Sequence, residues 1–247
     1  IKVASGFYEN PKIGLPSSDG LMQLFSINTG QLKAILLDKG LLTDIRTAVA
    51  GAICAKYLAP EQIKEVGIIG TGIQAKLQAE YLKRTLKINN IIVYGRSQDN
   101  ANNYKNEMKN KGFNVTVVDS IKAICERCRL IVTTTPSKVP LIDAQWVKPG
   151  THITAVGSDT PEKRELSTAL LAKAGIVVAD SIEQCKLRGE IHHALRSKEL
   201  SIDNVVELGT IINDHQHLKN DNQISIADLT GLAVQDLMIA KAVLEAH

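Results

Sequence analysis

The hydrophobic positions beyond Glu65 follow two alternating spacings. Short, largely β-branched apolar runs are separated by longer stretches whose apolar residues recur every three or four positions. The short runs predict buried strands, and the longer stretches predict amphipathic helices. Strands that alternate with helices predict an α/β fold, with a doubly wound parallel sheet covered by helices on both faces. We expect the strands at 66–69, 91–94, 115–118, 130–134, 153–156 and 176–179.

The two ends of the chain follow a different pattern. Strands are predicted at 22–27 and 32–37, joined by the turn residues Asn28-Thr29-Gly30. Helices are predicted at 44–58, which is rich in small residues, and at 230–246. The simplest arrangement is a sheet domain at 60–220, inserted in a second α+β domain that is built from residues 1–59 and 221–247.

Composition narrows the classes of function. The 247 residues are 44% hydrophobic and 22% charged, which is typical of a globular protein. A net charge of +3 and 4% aromatic residues give no support to a nucleic acid or a membrane surface as partner. No apolar run reaches the roughly 20 residues of a membrane helix, and no signal segment opens the chain. We therefore predict a cytoplasmic protein.

Cysteine and histidine spacing predicts no metal site and no disulfide framework. Cys125 and Cys128 have metal-like spacing but lack a second pair nearby. The pairs His192-His193 and His215-x-His217 lack carboxylate or cysteine companions at ligand spacing, so surface or loop histidines are expected.

One motif predicts a dinucleotide site. A G-x-G-x-x-A pattern stands directly after a predicted strand and directly before a predicted helix. Its first glycine permits a tight turn, its second lets backbone amides approach a pyrophosphate, and its alanine permits close packing of helix on strand. The helix N-terminus supplies N–H groups and a positive dipole end. This combination favours a Rossmann-type domain whose cofactor contacts are Gly70, Thr71, Gly72, Ile73, Gln74 and Ala75.

The end of the following strand bears on the choice of cofactor. The chain has Tyr94-Gly95-Arg96-Ser97 there, where a ribose 2′-hydroxyl would meet Asp or Glu. Arg96 and Ser97 instead suit a 2′-phosphate, which favours NADP(H). The alternative is NAD(H) held without an acidic residue, with Arg96 a solvated loop residue.

With these residues placed, the chain resembles the ornithine cyclodeaminase and mu-crystallin family over essentially its whole length. The motifs are specific to the family and much less specific to one reaction within it. The matching stretches are Lys2-Val3, Asn10-Pro11, 14–16, 42–48, 70–75, 133–136, 157–166, Gly189-Glu190-Ile191 and 228–231.

The resemblance implies a homodimer in which the end-built domain forms the interface and part of the substrate site. It implies that Lys2 and Arg46 hold the substrate carboxylate, with Lys2 also near the reacting nitrogen, and that Asp159 is the catalytic carboxylate. Thr230 falls at a substrate position. Further cofactor positions are Ser17, Thr134, Val156, Gly157, Ser158, Lys163 and Leu229.

Two departures from the family pattern matter. Arg96-Ser97 replaces the Asp of NAD-preferring cyclodeaminases, and a segment that supplies further substrate contacts is expected upstream of Ile1.

The central residues also have purely structural interpretations. Arg46 could cap its helix or form a salt bridge at the start of it. Asp159 is followed by Thr160-Pro161, a combination that is typical of turns. Lys2 could be a frayed terminal residue.

The sequence therefore predicts an NAD(P)H-dependent reductase of a small cyclic imino acid, such as Δ1-pyrroline-2-carboxylate, which becomes L-proline. The leading rival is ornithine cyclodeaminase, which converts L-ornithine to L-proline and ammonia with NAD as a catalytic cofactor. An L-alanine-type dehydrogenase is the third candidate, and a non-catalytic, mu-crystallin-like NADP-binding protein is the fourth.

Overall fold

The computed structural model describes residues 1–7, 9–214 and 222–246. The strands are β1 (Lys2–Gly6), β2 (Ser18–Phe25), β3 (Leu32–Leu36), β4 (Val66–Ile69), β5 (Asn90–Tyr94), β6 (Asn114–Val117), β7 (Leu130–Thr133), β8 (His152–Ala155), β9 (Ile176–Ala179), β10 (Val205–Glu207) and β11 (Ser225–Asp228). The helices are α1 (Leu41–Leu58), α2 (Ile73–Leu86), α3 (Gln98–Asn110), α4 (Ile121–Arg127), α5 (Thr168–Lys173), α6 (Ile182–Cys185), α7 (Glu190–Arg196), α8 (Leu208–Asn213) and α9 (Ala233–Glu245).

The chain divides into two compact units. The first consists of Ile1–Thr47 and Leu232–His247, so it is built from both chain ends. The second consists of Ala48–Gly231. The predicted boundaries, at 59/60 and 220/221, differ from these. Residues of α1 from Ala50 onward pack in the core of the second unit, and β11 is hydrogen-bonded inside its sheet.

The second unit is built on a parallel sheet, which confirms the predicted α/β fold. Within the described residues its eight strands have the order β10-β9-β11-β8-β7-β4-β5-β6. Side chains alternate between the faces, since Ile91 and Val93 of β5 enter one apolar cluster and Ile92 enters the other. Strand order reverses beside β4, which has β5 on one side and β7 on the other. Ligands of open α/β sheets bind at such a switch point.

The first unit pairs a small antiparallel sheet with two helical segments. Strands β1, β2 and β3 are hydrogen-bonded in that order, and β2 and β3 form the predicted hairpin. Its buried core joins Met22 of β2, Leu42 of α1 and Ala240 of α9. Lys2 lies opposite Met22 in the β1–β2 ladder. The strand register therefore fixes the backbone of Lys2.

The four cysteines are buried and form no disulfide. Burial raises the pKa of the Cys125 and Cys128 thiols to about 12, so both are protonated at neutral pH. None of the helices described is long and apolar enough to cross a lipid bilayer.

Candidate active site and cofactor site

In the second unit, the last residues of six neighbouring strands are paired with one another across the sheet. The register pairs Ile69 with Tyr94 on one side and with Thr133 on the other, and it continues through Ala155 to Asp228 and Ala179. Residues that follow these strands therefore lie along one sheet edge. Predicted cofactor residues at this edge are Gly70, Thr71, Gly72, Arg96, Ser97, Thr134, Val156, Gly157, Ser158 and Leu229.

The two glycines of the motif lie in different surroundings. Gly70 has a φ of 122°, and a Cβ there would lie 2.4 Å from Oγ1 of Thr134. Packing between the loops after β4 and β7 therefore requires Gly70. A Cβ at Gly72 would meet no atom of the described part of the chain within 4 Å. Gly72 precedes α2, whose N-terminus receives no side-chain cap. Open space beside uncapped N–H groups suits a phosphate.

The first turn of α2 meets the predicted packing requirement. Ala75 is fully buried, and its carbonyl accepts a hydrogen bond from the Tyr104 hydroxyl at 3.1 Å. Ile73 is exposed, whereas Thr71 and Gln74 are half-buried. The small side chain of Ala75 lets α2 approach the sheet closely, as the motif predicts.

Arg96 and Ser97 follow β5, as predicted, but their environments differ. Oγ of Ser97 caps α3 by accepting a hydrogen bond from the Asn100 amide at 3.3 Å. Arg96 is exposed and has neither an ion pair nor a hydrogen bond within the described residues. Arg96 is thus an available cation, while the Ser97 oxygen already has a structural partner.

A buried carboxylate joins the loops that follow β7 and β8. Glu165 accepts hydrogen bonds from Thr133 Oγ1 at 2.6 Å, Thr135 N at 2.6 Å, Thr135 Oγ1 at 2.7 Å and Gly157 N at 2.9 Å. Burial raises the pKa of Glu165, whereas these hydrogen bonds lower it. A Cβ at Gly157 would lie 2.1 Å from the Thr135 carbonyl oxygen, so the two loops are in direct contact.

Glu190 holds the next residue of the β8 loop. Its carboxylate accepts hydrogen bonds from the Ser158 hydroxyl, from Glu165 N at 2.7 Å and from Leu166 N at 3.0 Å. Burial, together with the charge of Glu165, raises the pKa of Glu190 to about 7. Two buried carboxylates therefore fix the loop that contains Gly157 and Ser158.

A third carboxylate, Asp180 after β9, organises the loop after β11. Asp180 accepts hydrogen bonds from Thr230 N at 2.8 Å, Thr230 Oγ1 at 3.0 Å and Gly231 N at 2.7 Å. Thr230 Oγ1 also accepts a hydrogen bond from Gln184 at 2.7 Å. The Thr230 hydroxyl, predicted to bind substrate, is thus buried and donates to Asp180. Leu229 is buried, and its amide donates to the Ala155 carbonyl at 3.0 Å.

Asp159 lies in the loop after β8, two residues beyond Gly157. Its carboxylate is 2.6 Å from Nζ of Lys163, and its side chain is 54% exposed, whereas that of Lys163 is 9% exposed. Asp159 is therefore solvent-accessible yet held by a buried cation. This arrangement leaves carboxylate lone pairs available for a substrate nitrogen or a water.

Lys2, Arg46 and Asp236 form a cluster in the first unit. Oδ2 of Asp236 is 2.8 Å from Lys2 Nζ, and Oδ1 is 2.9 Å from Arg46 Nε. Gln235 Oε1 accepts a further hydrogen bond from Arg46 Nη1 at 3.1 Å. Two cations and one carboxylate leave the cluster with one net positive charge. Remaining N–H groups on both cations suit a second carboxylate.

Other predicted residues lie elsewhere. Ser17 is in the first unit, where its carbonyl accepts a hydrogen bond from the Phe7 amide at 2.7 Å. His192 and His193 contact the carbonyls of Lys186 and Lys163. His215 and His217 lie outside the described residues. In the part of the chain described, no group of three or more His, Cys, Asp or Glu is arranged to hold a metal ion.

The ornithine cyclodeaminase/mu-crystallin family model matches residues 1–247. The chain belongs to this family.

Curated relatives in the family differ in activity. An uncharacterised cyclodeaminase of Sinorhizobium fredii is 40% identical over 243 residues, which cover 97% of this chain and 73% of that protein. Alanine dehydrogenase of Archaeoglobus fulgidus is 40% identical over 238 residues, with coverages of 96% and 73%. A Δ1-pyrroline-2-carboxylate reductase of Bacillus cereus is 32% identical over 249 residues, with coverages of 99% and 76%.

Two solved structures have the same fold. An archaeal alanine dehydrogenase dimer with bound NAD has a TM-score of 0.91 at 37% identity. Thermococcus litoralis Δ1-pyrroline-2-carboxylate reductase, in complex with NADH and L-proline, has a TM-score of 0.91 at 29% identity. Each comparison covers 99% of this chain and 76% of the other.

The sheet edge of this family member fits a dinucleotide. Gly72 borders open space at the uncapped start of α2, which packing within the chain does not explain. Gly70, Thr71 and Gly72 would hold the pyrophosphate through backbone amides. Arg96, which lies in the loop after β5, would be near the ribose of the cofactor.

The carboxylates that hold the loops of the candidate site were not predicted. Glu165, Glu190 and Asp228 stand inside the quoted motifs, but their burial is visible only in the structure. Asp228, whose pKa burial raises well above its usual range, accepts a hydrogen bond from Ile191 N at 2.9 Å. Asp236 had one signal, since it is an acidic residue in the first turn of a largely apolar helix.

Proposed function

We propose that this chain is an NAD(P)H-dependent reductase of a small cyclic imino acid, with Δ1-pyrroline-2-carboxylate as the lead substrate. The observation that carries the proposal is the cluster of Lys2, Arg46 and Asp236. Its single net positive charge and remaining N–H donors match a substrate with one carboxylate. The reductase relatives and the family fold support the same reaction class.

The residues divide the chemistry between them. Arg46 binds the substrate carboxylate, because its planar guanidinium presents parallel N–H donors. Lys2 neutralises the same carboxylate or relays a proton. When bound, the reduced nicotinamide supplies hydride to the imine carbon. Asp159 stabilises the positive charge on the nitrogen of the protonated imine. The protonated imine accepts hydride at its carbon more readily than the neutral imine does.

A three-arm assay tests the reaction. The first arm follows reduced-nicotinamide absorbance with Δ1-pyrroline-2-carboxylate, the second with pyruvate and ammonium, and the third measures ammonia released from L-ornithine with NAD. We expect the highest kcat/KM in the first arm. Ammonia release from ornithine without imine reduction would overturn the reductase proposal in favour of cyclodeaminase.

An alanine dehydrogenase is the second candidate, and the 40% identical relative from Archaeoglobus fulgidus favours it. Pyruvate and ammonia form an acyclic imino acid with one carboxylate, so the same cluster would suit it. A higher kcat/KM in the second arm would select this candidate. A protein that binds cofactor without turnover gives no signal in any arm, and the retention of Lys2, Arg46 and Asp159 argues against it.

NADP(H) is the proposed cofactor, because Arg96 is a cation with no partner among the described residues and the loop after β5 has no carboxylate at 95–97. We expect Arg96→Asp to weaken NADPH binding at least about tenfold more than NADH binding, since a 2′-phosphate would meet a carboxylate. The control is Lys109→Asp, which makes the same charge change at the far end of α3. Equal effects of Arg96→Asp on both cofactors would favour NAD(H), which the two solved relatives contain.

The proposed assembly is a homodimer, with the first unit as interface. Large apolar side chains of this unit are exposed on β3, α9 and the segments beside them. They include Ile35, Leu37, Val234, Leu237 and Met238. Exposed large apolar side chains that are concentrated in one part of a chain are typical of protein interfaces.

A further inference from the structure

Asp236 occupies an unusual position for a carboxylate. It lies in direct contact with both cations that the proposed function assigns to the substrate carboxylate. The side chains of Lys2, Asp236 and Arg46 are only 23%, 13% and 12% exposed, so solvent screens their charges weakly. A carboxylate here reduces the attraction between the cations and an anionic substrate. Its presence therefore limits how much negative charge the cluster takes up.

The contacts also fix the cations. Asp236 binds one Lys2 N–H and the Nε–H of Arg46, and Gln235 binds a third donor on Nη1. Lysine has three donors and arginine has five, so each cation keeps N–H groups for another acceptor. Because Asp236 and Gln235 are adjacent on α9, one helix turn sets the position of both cations.

We propose that Asp236 is a specificity-determining positioning residue, which holds Lys2 and Arg46 and limits the substrate to one carboxylate. This inference rests on the proposed function, in which Lys2 and Arg46 bind the carboxylate of an imino acid. After one carboxylate binds, the cluster is neutral, and a second carboxylate finds no remaining charge. Without the charge of Asp236 the cluster would stay positive after the first carboxylate and attract the second.

A matched pair of planar ligands tests the proposal. Pyrrole-2-carboxylate and pyrrole-2,5-dicarboxylate share one ring and differ in one carboxylate. Their dissociation constants are measured by calorimetry on the 247-residue chain with saturating NADP+. We expect Asp236→Asn to shift the affinity ratio about tenfold toward the dicarboxylate, which corresponds to about 1.4 kcal/mol. Loss of structure alone would weaken the binding of both ligands equally. The proposal is therefore overturned if the ratio of the two affinities changes less than twofold.

Two further variants keep the test decisive if Asp236→Asn does not fold. Asp236→Glu retains the charge, and we expect it to retain the wild-type ratio. Gln235→Glu adds a carboxylate beside Arg46 and makes the cluster neutral. We expect it to weaken pyrrole-2-carboxylate about tenfold. The proposal is overturned if Gln235→Glu binds pyrrole-2-carboxylate as tightly as the wild type does. It is also overturned if Asp236→Glu does not keep the wild-type ratio of affinities for the two pyrrole ligands.

The control and the readout separate this inference from the proposed reaction. Glu245→Gln removes an exposed carboxylate of the same helix, which pairs with Lys241 at 3.5 Å, and should leave both affinities unchanged. If no imine is reduced but the ratio shifts as expected, the proposed reaction fails and the role of Asp236 stands. If the imine is reduced and the ratio is unmoved, the role of Asp236 fails alone. Absence of binding of either pyrrole to the wild-type chain also overturns it.

Discussion

At the residue scale, Glu165 is surrounded by hydroxyl and amide donors. Each of its carboxylate oxygens accepts one backbone N–H, from Thr135 on one side and from Gly157 on the other. A glutamine at this position would therefore direct its NH2 group at a backbone N–H in either orientation of the amide. We expect Glu165→Gln to lower the free energy of unfolding by about 2–3 kcal/mol, measured by chemical denaturation.

The control for that change is Glu162→Gln, which alters a neighbouring carboxylate that is exposed. Local hydrogen bonds, including one to Thr160, lower the pKa of Glu162, but solvent screens this exposed carboxylate, so we expect a much smaller loss of stability than in Glu165→Gln. Equal stability of the two variants would mean that the hydrogen bonds of Glu165 do not hold the loops after β7 and β8.

Glu190 predicts a pH dependence of stability. Its pKa is about 7 in the folded chain, against 4.5 for an unperturbed glutamate, so the folded state binds the proton more tightly. The contribution of this group is present below about pH 4.5 and is lost as the pH rises through about 7. We expect the unfolding free energy of wild type, minus that of Glu190→Gln, to fall by about 2–3 kcal/mol between about pH 5 and pH 8.

The comparison with Glu190→Gln isolates this group from the histidines. Burial lowers the pKa of His152 to about 3 and also lowers that of His193, so both oppose the slope of Glu190. Both proteins retain these histidines, and their effect cancels in the difference. Parallel stability curves for the two proteins would contradict the assignment of the shifted pKa to Glu190.

At the element scale, the turn between β4 and α2 predicts a change that separates binding from folding. A Cβ at Gly72 would meet no atom of the described residues within 4 Å, but in the proposed cofactor site it would project where backbone amides approach the pyrophosphate. We expect Gly72→Ala to raise the dissociation constant of the cofactor at least about tenfold. Its unfolding free energy should change by less than about 1 kcal/mol, since only an N-cap glycine is lost. Fluorescence titration with NADPH and denaturant unfolding measure the two quantities.

Gly67 supplies the contrast within β4. A Cβ there would lie 2.4 Å from Cγ2 of Ile124, in a packed apolar cluster. We expect Gly67→Ala to destabilise the chain by about 1–3 kcal/mol through overpacking. If Gly72→Ala destabilises the chain as much as Gly67→Ala, its glycine serves packing, and the pyrophosphate site is wrong.

Elements with strong local patterns were predictable, and elements defined by their neighbours were not. The run 66–69 is wholly apolar and followed by glycines, so the sequence located β4 and its loop. Strand β11 is only Ser225-Ile226-Ala227-Asp228, and no β-branched run marks it. It is a strand because it fills the space between β8 and β9. Ser225 Oγ contacts His152 Nδ1 at 2.9 Å, a partner that is distant in sequence.

The same distinction applies to the candidate site. Gly70, Gly72 and Arg96 could be singled out because each lies beside a strand or helix that the sequence predicts, and their cofactor roles stay predictions. The cluster of Lys2, Arg46 and Asp236 joins residues that are far apart in the chain, so no local spacing reveals it. Resemblance supplied the two cations, but their shared carboxylate emerged only from the fold of the first unit.

At the scale of the whole molecule, exposed apolar surface is distributed unevenly. Most of the exposed large apolar side chains among the described residues belong to the first unit, although the second unit is much larger. Exposing them to water costs roughly 25 cal/mol per Å² relative to burial. A second copy of the chain would bury them. We therefore expect light scattering to give a mass twice the 26.8 kDa of one chain.

A charge placed on this surface should separate the copies. We expect Met238→Asp, on the exposed side of α9, to convert the dimer to a monomer, since a carboxylate in an apolar interface is desolvated without a partner. Val139→Asp is the matched control, because Val139 is a similarly exposed apolar residue in the second unit. It should leave the mass at that of the dimer. A monomeric wild type would contradict the dimer prediction. A dimer that tolerates Met238→Asp but not Val139→Asp would locate the interface outside the first unit.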